Sequence, residues 1–140
     1  MRSKIIALIL AVAGFLLGCD RRDVPATQAV QSVTQFKIGD TYESVTNIYL
    51  AKAGLIVKER LGAEICLPKG TRFVVSGILE TKNAEVGHYA SPRAILNLSN
   101  STQTVDLSLV SKSQWNSNLN MLIPQPDPLV LRKVASAGPQ

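Results

Sequence analysis

The chain has 140 residues, 46% of them hydrophobic and 18% charged, with a formal net charge of +5. That length supports one small core but not two once a leader is set aside. The charge is mild, aromatics make up only 5%, and no run of Lys and Arg is interleaved with them, which argues against nucleic-acid binding.

At the amino end, Arg2 and Lys4 lead into Ile5 to Leu17, thirteen residues without a polar side chain. A bilayer-spanning helix needs about 20 apolar residues, so this run is short for a permanent span. It suits the apolar region of a secretory signal, and the positive flank keeps the amino end in the cytoplasm while the rest is exported.

The run ends Leu16-Leu17-Gly18-Cys19. This resembles the lipobox of bacterial lipoprotein signal peptides. The resemblance implies that Cys19 receives diacylglycerol on its sulfur, that the chain is cut before it, and that the new amino group is acylated, as by palmitate. Leu16, Leu17 and Gly18 would be read by the peptidase, and the small Gly18 lets the backbone enter its cleft. One acyl chain holds a protein only marginally, whereas two or more anchor it stably. Asp20 resembles the sorting signal that retains enterobacterial lipoproteins in the inner membrane. The expectation is therefore a mature chain on the periplasmic face of a membrane, the inner favoured over the outer. Its only modification would be the lipid on Cys19.

The divisions expected are a signal peptide over 1–18, a lipidated tether over 19–35, a β-rich domain over 36–134 and a flexible tail over 135–140. The tether is polar, contains Pro25 and lacks a long apolar period. Extended, it would let the domain stand tens of ångströms from the lipid. Arg21 and Arg22 would lie beside anionic headgroups.

Residues 41–53 read two ways. Asp40 as N-cap, Glu43 as its capping-box partner and Gly54 as a stop describe a helix. The β-branched and aromatic content of "SVTNIYLA" describes a strand, and this reading is preferred. Next, "LIVKE" and "AEICL" are short strand candidates. Lipid on Cys19 leaves Cys66 without a disulfide partner in the chain, and its apolar setting reads as core. "LPKGT" between two strand-like runs resembles the turn of bacterial Src-homology-3-like barrels over residues 50 to 80. Gly70 would take the unusual backbone angle and Lys69 the exposed tip.

"RFVVSGILE" alternates with Phe73, Val75 and Leu79 on one parity. "EVGHYASPRA" reads as a surface loop, either a solvated turn or a contact patch of His88, Tyr89 and Arg93. "RAILNLS" sets Ala94, Leu96 and Leu98 against Ile95 and Asn97. "TVDLSLV" sets Val105, Leu107 and Leu109 in, with Asp106 and Ser108 out. Trp115 either closes a small barrel, the preferred reading, or anchors an interface with that patch. Pro124, Pro126 and Pro128 mark a rim or edge before a last strand, "LVLRKV".

These elements give a mainly β chain: a small antiparallel barrel or sandwich. The alternative is an α+β domain with a short helix near 41–53 on a sheet. Metal ligands are sparse, and no catalytic residue is assigned. A Cys66–His88 dyad is the one nucleophile-and-base pair available, and it would make a cysteine-dependent enzyme. The preferred expectation is a non-catalytic envelope lipoprotein that binds a protein partner or assists assembly. A module for cell wall or another polymer is the alternative.

Overall fold

The computed structural model describes residues 21–60, 65–83 and 87–136. The expected signal peptide, Leu16, Leu17, Gly18, Cys19 and Asp20 lie outside them, as do the last residues of the tail. In chain order the elements are β1 (Arg21–Pro25), α1 (Gln28–Val33), β2 (Thr41–Ser44), β3 (Ile48–Leu50), β4 (Ile56–Val57), β5 (Ile65–Leu67), β6 (Arg72–Asn83), β7 (Gly87–Leu98), β8 (Ser101–Asp106), β9 (Ser111–Asn116), β10 (Met121–Pro126) and β11 (Leu131–Ala135).

The mainly β expectation holds. The long β6–β7 hairpin is the spine of a sheet curled into a half-barrel. At the start of β6 its free edge pairs with β2, which carries β11 outside it. Toward the hairpin tip the same edge pairs with β1. On the other side, β7 pairs first with β10 and then with β8, and β9 borders β10. The β7–β10 pairing is parallel, so the sheet is mixed rather than purely antiparallel. A second sheet, ordered β4-β3-β5, joins the first where Leu55 bridges Asp106.

Both sheets bury one core. Tyr42, Phe73, Val75, Ala94, Leu96, Val105, Met121 and Ile123 supply the main sheet's inner face, and Ile48, Leu50 and Ile56 come from the small sheet. A bulge between Val75 and Gly77 shifts the alternation of β6. Phe73 and Val75 share the inner face as their common parity implies, but beyond the bulge the inward residue is Ile78 and not Leu79. In the same way β8 stops at Asp106, and a tight 3-10 turn over Ser108–Val110 follows. The turn buries Val110 and leaves Leu109 exposed, against the expected alternation.

One further expectation, the preferred strand reading of 41–53, holds, and another changes. Residues 41–53 contain β2 and β3 rather than a helix: Tyr42, Ser44, Ile48 and Leu50 alternate into the core. The described part of the expected tether is folded. Residues 21–25 add a strand to β6, and Thr27 caps α1 through its hydroxyl. Ala26 and Val30 are buried, and these two apolar side chains with an open strand edge help to seat a segment that composition reads as polar. After α1 the chain reaches β10, where the Thr34 hydroxyl donates to the Pro124 carbonyl at 2.7 Å. There β10 has a strand, β9, on one side only, which suits its prolines. Among the described residues no helix is long and apolar enough to cross a membrane.

Candidate interaction surface

Three groups of side chains are candidates for function, the third sharing Tyr42 and Leu131 with the core. The first lies on the inner face near the hairpin tip. Glu80 is 8% exposed, and its carboxylate accepts from the Thr27 backbone N–H at 2.9 Å. The other oxygen lies 3.0 Å from His88 Nε2. Burial pushes the Glu80 carboxyl up, but the Thr27 and His88 contacts outweigh it and hold the group below the usual glutamate range. His88 therefore lies within β7, where it helps Glu80 fasten α1 to the sheet. The expected surface loop is a strand instead, because Gly87 to Leu98 pairs with β6 along nearly its whole length.

The second group is on the outer face. Tyr89 pairs with Leu122, and Leu122 with Trp115, so one row crosses β7, β10 and β9. Across β6 the row continues through Thr81 to Asp23, where the Thr81 hydroxyl donates to Asp23 Oδ1 at 2.7 Å. Trp115 is 60% exposed and does not close a barrel; β9 is an edge strand whose side chains are mostly uncovered. Tyr89 and Trp115 thus share a row, with Leu122 between them. Nothing local in the sequence marks Leu122, because the parallel β7–β10 pairing creates the row. Arg93 shares the Tyr89 parity but is ion-paired to Asp106 at 3.3 Å. Its buried Nε and the buried Ser91 hydroxyl have no hydrogen-bond partner among the described residues.

The third group is a groove of about 500 Å³ between β2, β11 and the end of β10. Tyr42, Pro126, Pro128 and Leu131 form its apolar lining, and Lys37 and Lys133 stand with them. The Tyr42 hydroxyl donates to the Gln35 carbonyl at 3.4 Å. Burial, helped by the Asp40 carboxylate, pushes this phenol up to about 12. Lys133 pairs with buried Asp40 at 3.1 Å, and Lys37 donates to the Gln31 carbonyl at 2.7 Å. An apolar trough beside the Lys37 ammonium and the Lys133–Asp40 pair can take an extended chain that carries carbonyl or acidic groups. The prolines are legible in the sequence as a rim, but Lys37, Tyr42 and Lys133 are not legible as part of it, because only the fold brings the 35–42 segment beside 126–133.

The remaining candidates fall elsewhere. Cys66 is exposed on β5 of the small sheet, cross-strand from Tyr49, so the core reading is corrected. Its strand is a sheet edge, and Leu67 rather than Cys66 takes the inward position. Cys66 and His88 occupy different sheets, and His88 Nε2 is engaged by Glu80. Gly70 takes φ of 91° and Lys69 is exposed, as the turn reading expected, although β5 and β6 on either side belong to different sheets. Among the described residues there is no group of three or more His, Cys, Asp or Glu placed to hold a metal ion. No protein-family model matches the chain, and neither a curated protein nor a solved structure matches it.

Proposed function

We propose that this protein is a lipid-anchored, non-catalytic binding module on the periplasmic face of the cell envelope, held by acyl chains on Cys19. The observation that carries the binding role is the groove, whose apolar lining is flanked by Lys37 and Lys133. Its occupant in this reading is an extended segment of a partner protein, as expected of an envelope-assembly accessory. Leu16 to Cys19 support the anchor by their resemblance to a lipobox. A second reading has the groove hold an anionic cell-wall polymer, which the Lys37 ammonium favours, the Lys133 charge being offset by Asp40.

Two experiments test the proposal. Cys19→Ser should abolish lipid labelling and accumulate the uncut precursor; a mutant that is still labelled refutes the anchor. A photo-crosslinker at position 128, in the groove, should trap one defined membrane protein, and one at exposed Lys112 should not. Equal yields from both positions would remove the groove from the account. Retention on cell-wall material, with no crosslinked protein, would select the polymer reading.

A further inference from the structure

The end of the molecule that follows the anchor is fixed by the sheet. Cys19 lies two positions before Arg21, and two residues span at most about 7 Å. Arg21 pairs with Asn83 and Arg22 with Lys82, at the tip of the β6–β7 hairpin. The β9–β10 turn reaches the same level. Leu122 pairs with Tyr89 while Lys82 pairs with His88, and Met121 closes on Asn116. If Cys19 is lipidated, there is no slack to hold this end away from the bilayer.

The side chains at that end suit an interface. Trp115 is 60% exposed and Val24, on the opposite flank, is 51% exposed. Lys82 stands exposed between them. Tryptophan places an amphipathic ring at headgroup depth, and lysine reaches lipid phosphate. Along the strand direction Trp115 sits two residues behind Arg21, which is about 7 Å. The headgroup layer is itself about 5–8 Å deep on each side of the hydrocarbon. A modest lean of the sheet toward β9 brings the indole into it.

We propose that this end docks on the phospholipid surface, with Trp115 at the headgroups and the groove held away from the membrane. The proposal rests on the lipid anchor of the preceding section. The groove fits the arrangement, since Tyr42 pairs with Phe73, ten residues and roughly 30 Å along β6 from Asn83.

Trp115 is the sole tryptophan, so the native fluorescence of the full mature lipoprotein reports this site alone. The protein is reconstituted into phosphatidylethanolamine vesicles containing phosphatidylglycerol, and its acylation is checked by mass. With lipids brominated near the glycerol end of the acyl chain, emission should fall about twofold or more, with a blue shift. A control carries Trp115→Phe and Leu129→Trp. Position 129 is 76% exposed, in the turn leading to β11 at the far end, and its emission should be quenched only by aqueous iodide. A correctly acylated protein whose Trp115 responds to iodide and not to brominated lipid overturns the docking while leaving the anchor intact. Equal lipid quenching at both positions also overturns it. A mature chain without acyl groups on Cys19 overturns both proposals.

Discussion

Glu80 Oε2 lies 3.0 Å from His88 Nε2 across the β6–β7 hairpin, while Glu80 Oε1 takes the Thr27 N–H. One buried carboxylate therefore ties the strand pair to the start of α1. Glu80→Ala would leave the Thr27 donor unpaired in a poorly solvated place and should destabilise the fold by about 2 kcal/mol. His88→Ala leaves the backbone contact and should cost about 1 kcal/mol. Denaturant unfolding measures both; equal losses would show that the ring and the backbone contact act as one unit.

The same carboxylate sets an acid limit on stability. Unfolded glutamate titrates at about 4.3, and Glu80 titrates lower in the fold. Its contribution is complete above the unfolded value and is lost as pH falls through the folded one. Asp127 behaves alike. Burial raises it, but the Leu129 N–H and the Lys58 ammonium at 3.1 Å outweigh that and hold it below the usual aspartate range. Melting temperature should fall on acidification below about pH 4, and Glu80→Gln should flatten part of that slope. A slope unchanged in the variant would mean that other carboxylates carry it.

At the alkaline end, Tyr42 gives the opposite dependence. An unfolded phenol titrates at about 10, and in the fold this one is pushed up to about 12. Its stabilising contribution is full below the unfolded value and is lost as pH rises toward the folded one. Tyrosinate absorbance should therefore show a late step from Tyr42, near pH 12. Tyr42→Phe should remove that late step and cost under about 1 kcal/mol, because only the long bond to Gln35 is lost. If the late step persists in the variant, another tyrosine is the protected one.

Cys66 offers a direct check on a place where sequence and structure part. A core thiol would resist alkylation and would destabilise the fold when changed to serine. The exposed thiol on β5 should be alkylated under native conditions, with one adduct by mass once Cys19 carries lipid. Cys66→Ser should change stability by no more than about 0.5 kcal/mol. Protection from reagent in the folded protein would put the side chain back in the core.

Local chemistry made much of the fold legible. Ala94 and Leu96 alternate as their sequence implies, and Gly70 turns the chain where "PKGT" says it should. Two kinds of feature stayed hidden. The bulge after Val75 and the turn after Asp106 break a period that is otherwise regular, and hydrophobic pattern alone carries no signal for one extra residue. The candidate surfaces depend on contacts distant in sequence. Leu122 joins Trp115 to Tyr89 only because β10 lies parallel to β7. Lys37 and Lys133 meet at the groove only because α1 carries the chain across to β10. The expected tether failed for a related reason, since the open edge of β6 seats β1 and no property of residues 21–25 alone announces it.

Three glycines should separate backbone strain from crowding. Gly54 has φ of 74°, and an added Cβ would sit 2.9 Å from the Thr104 carbonyl oxygen, closer than such contacts occur. Gly54→Ala therefore meets two penalties: a left-handed backbone worth about 1–2 kcal/mol and a clash with the backbone of β8. Gly70 has φ of 91° but open space around the added carbon, so Gly70→Ala should cost only the backbone part, about 1–2 kcal/mol. Gly77, beside the bulge, has neither a left-handed φ nor a neighbour within 4 Å. Gly77→Ala should be neutral or stabilise by about 0.4–1 kcal/mol through the unfolded chain. Chemical denaturation of the three variants should rank the losses Gly54, then Gly70, then Gly77. If Gly70→Ala cost more than Gly54→Ala, the close approach of the 52–54 turn to β8 would be wrong, and with it the way the small sheet is joined to the half-barrel.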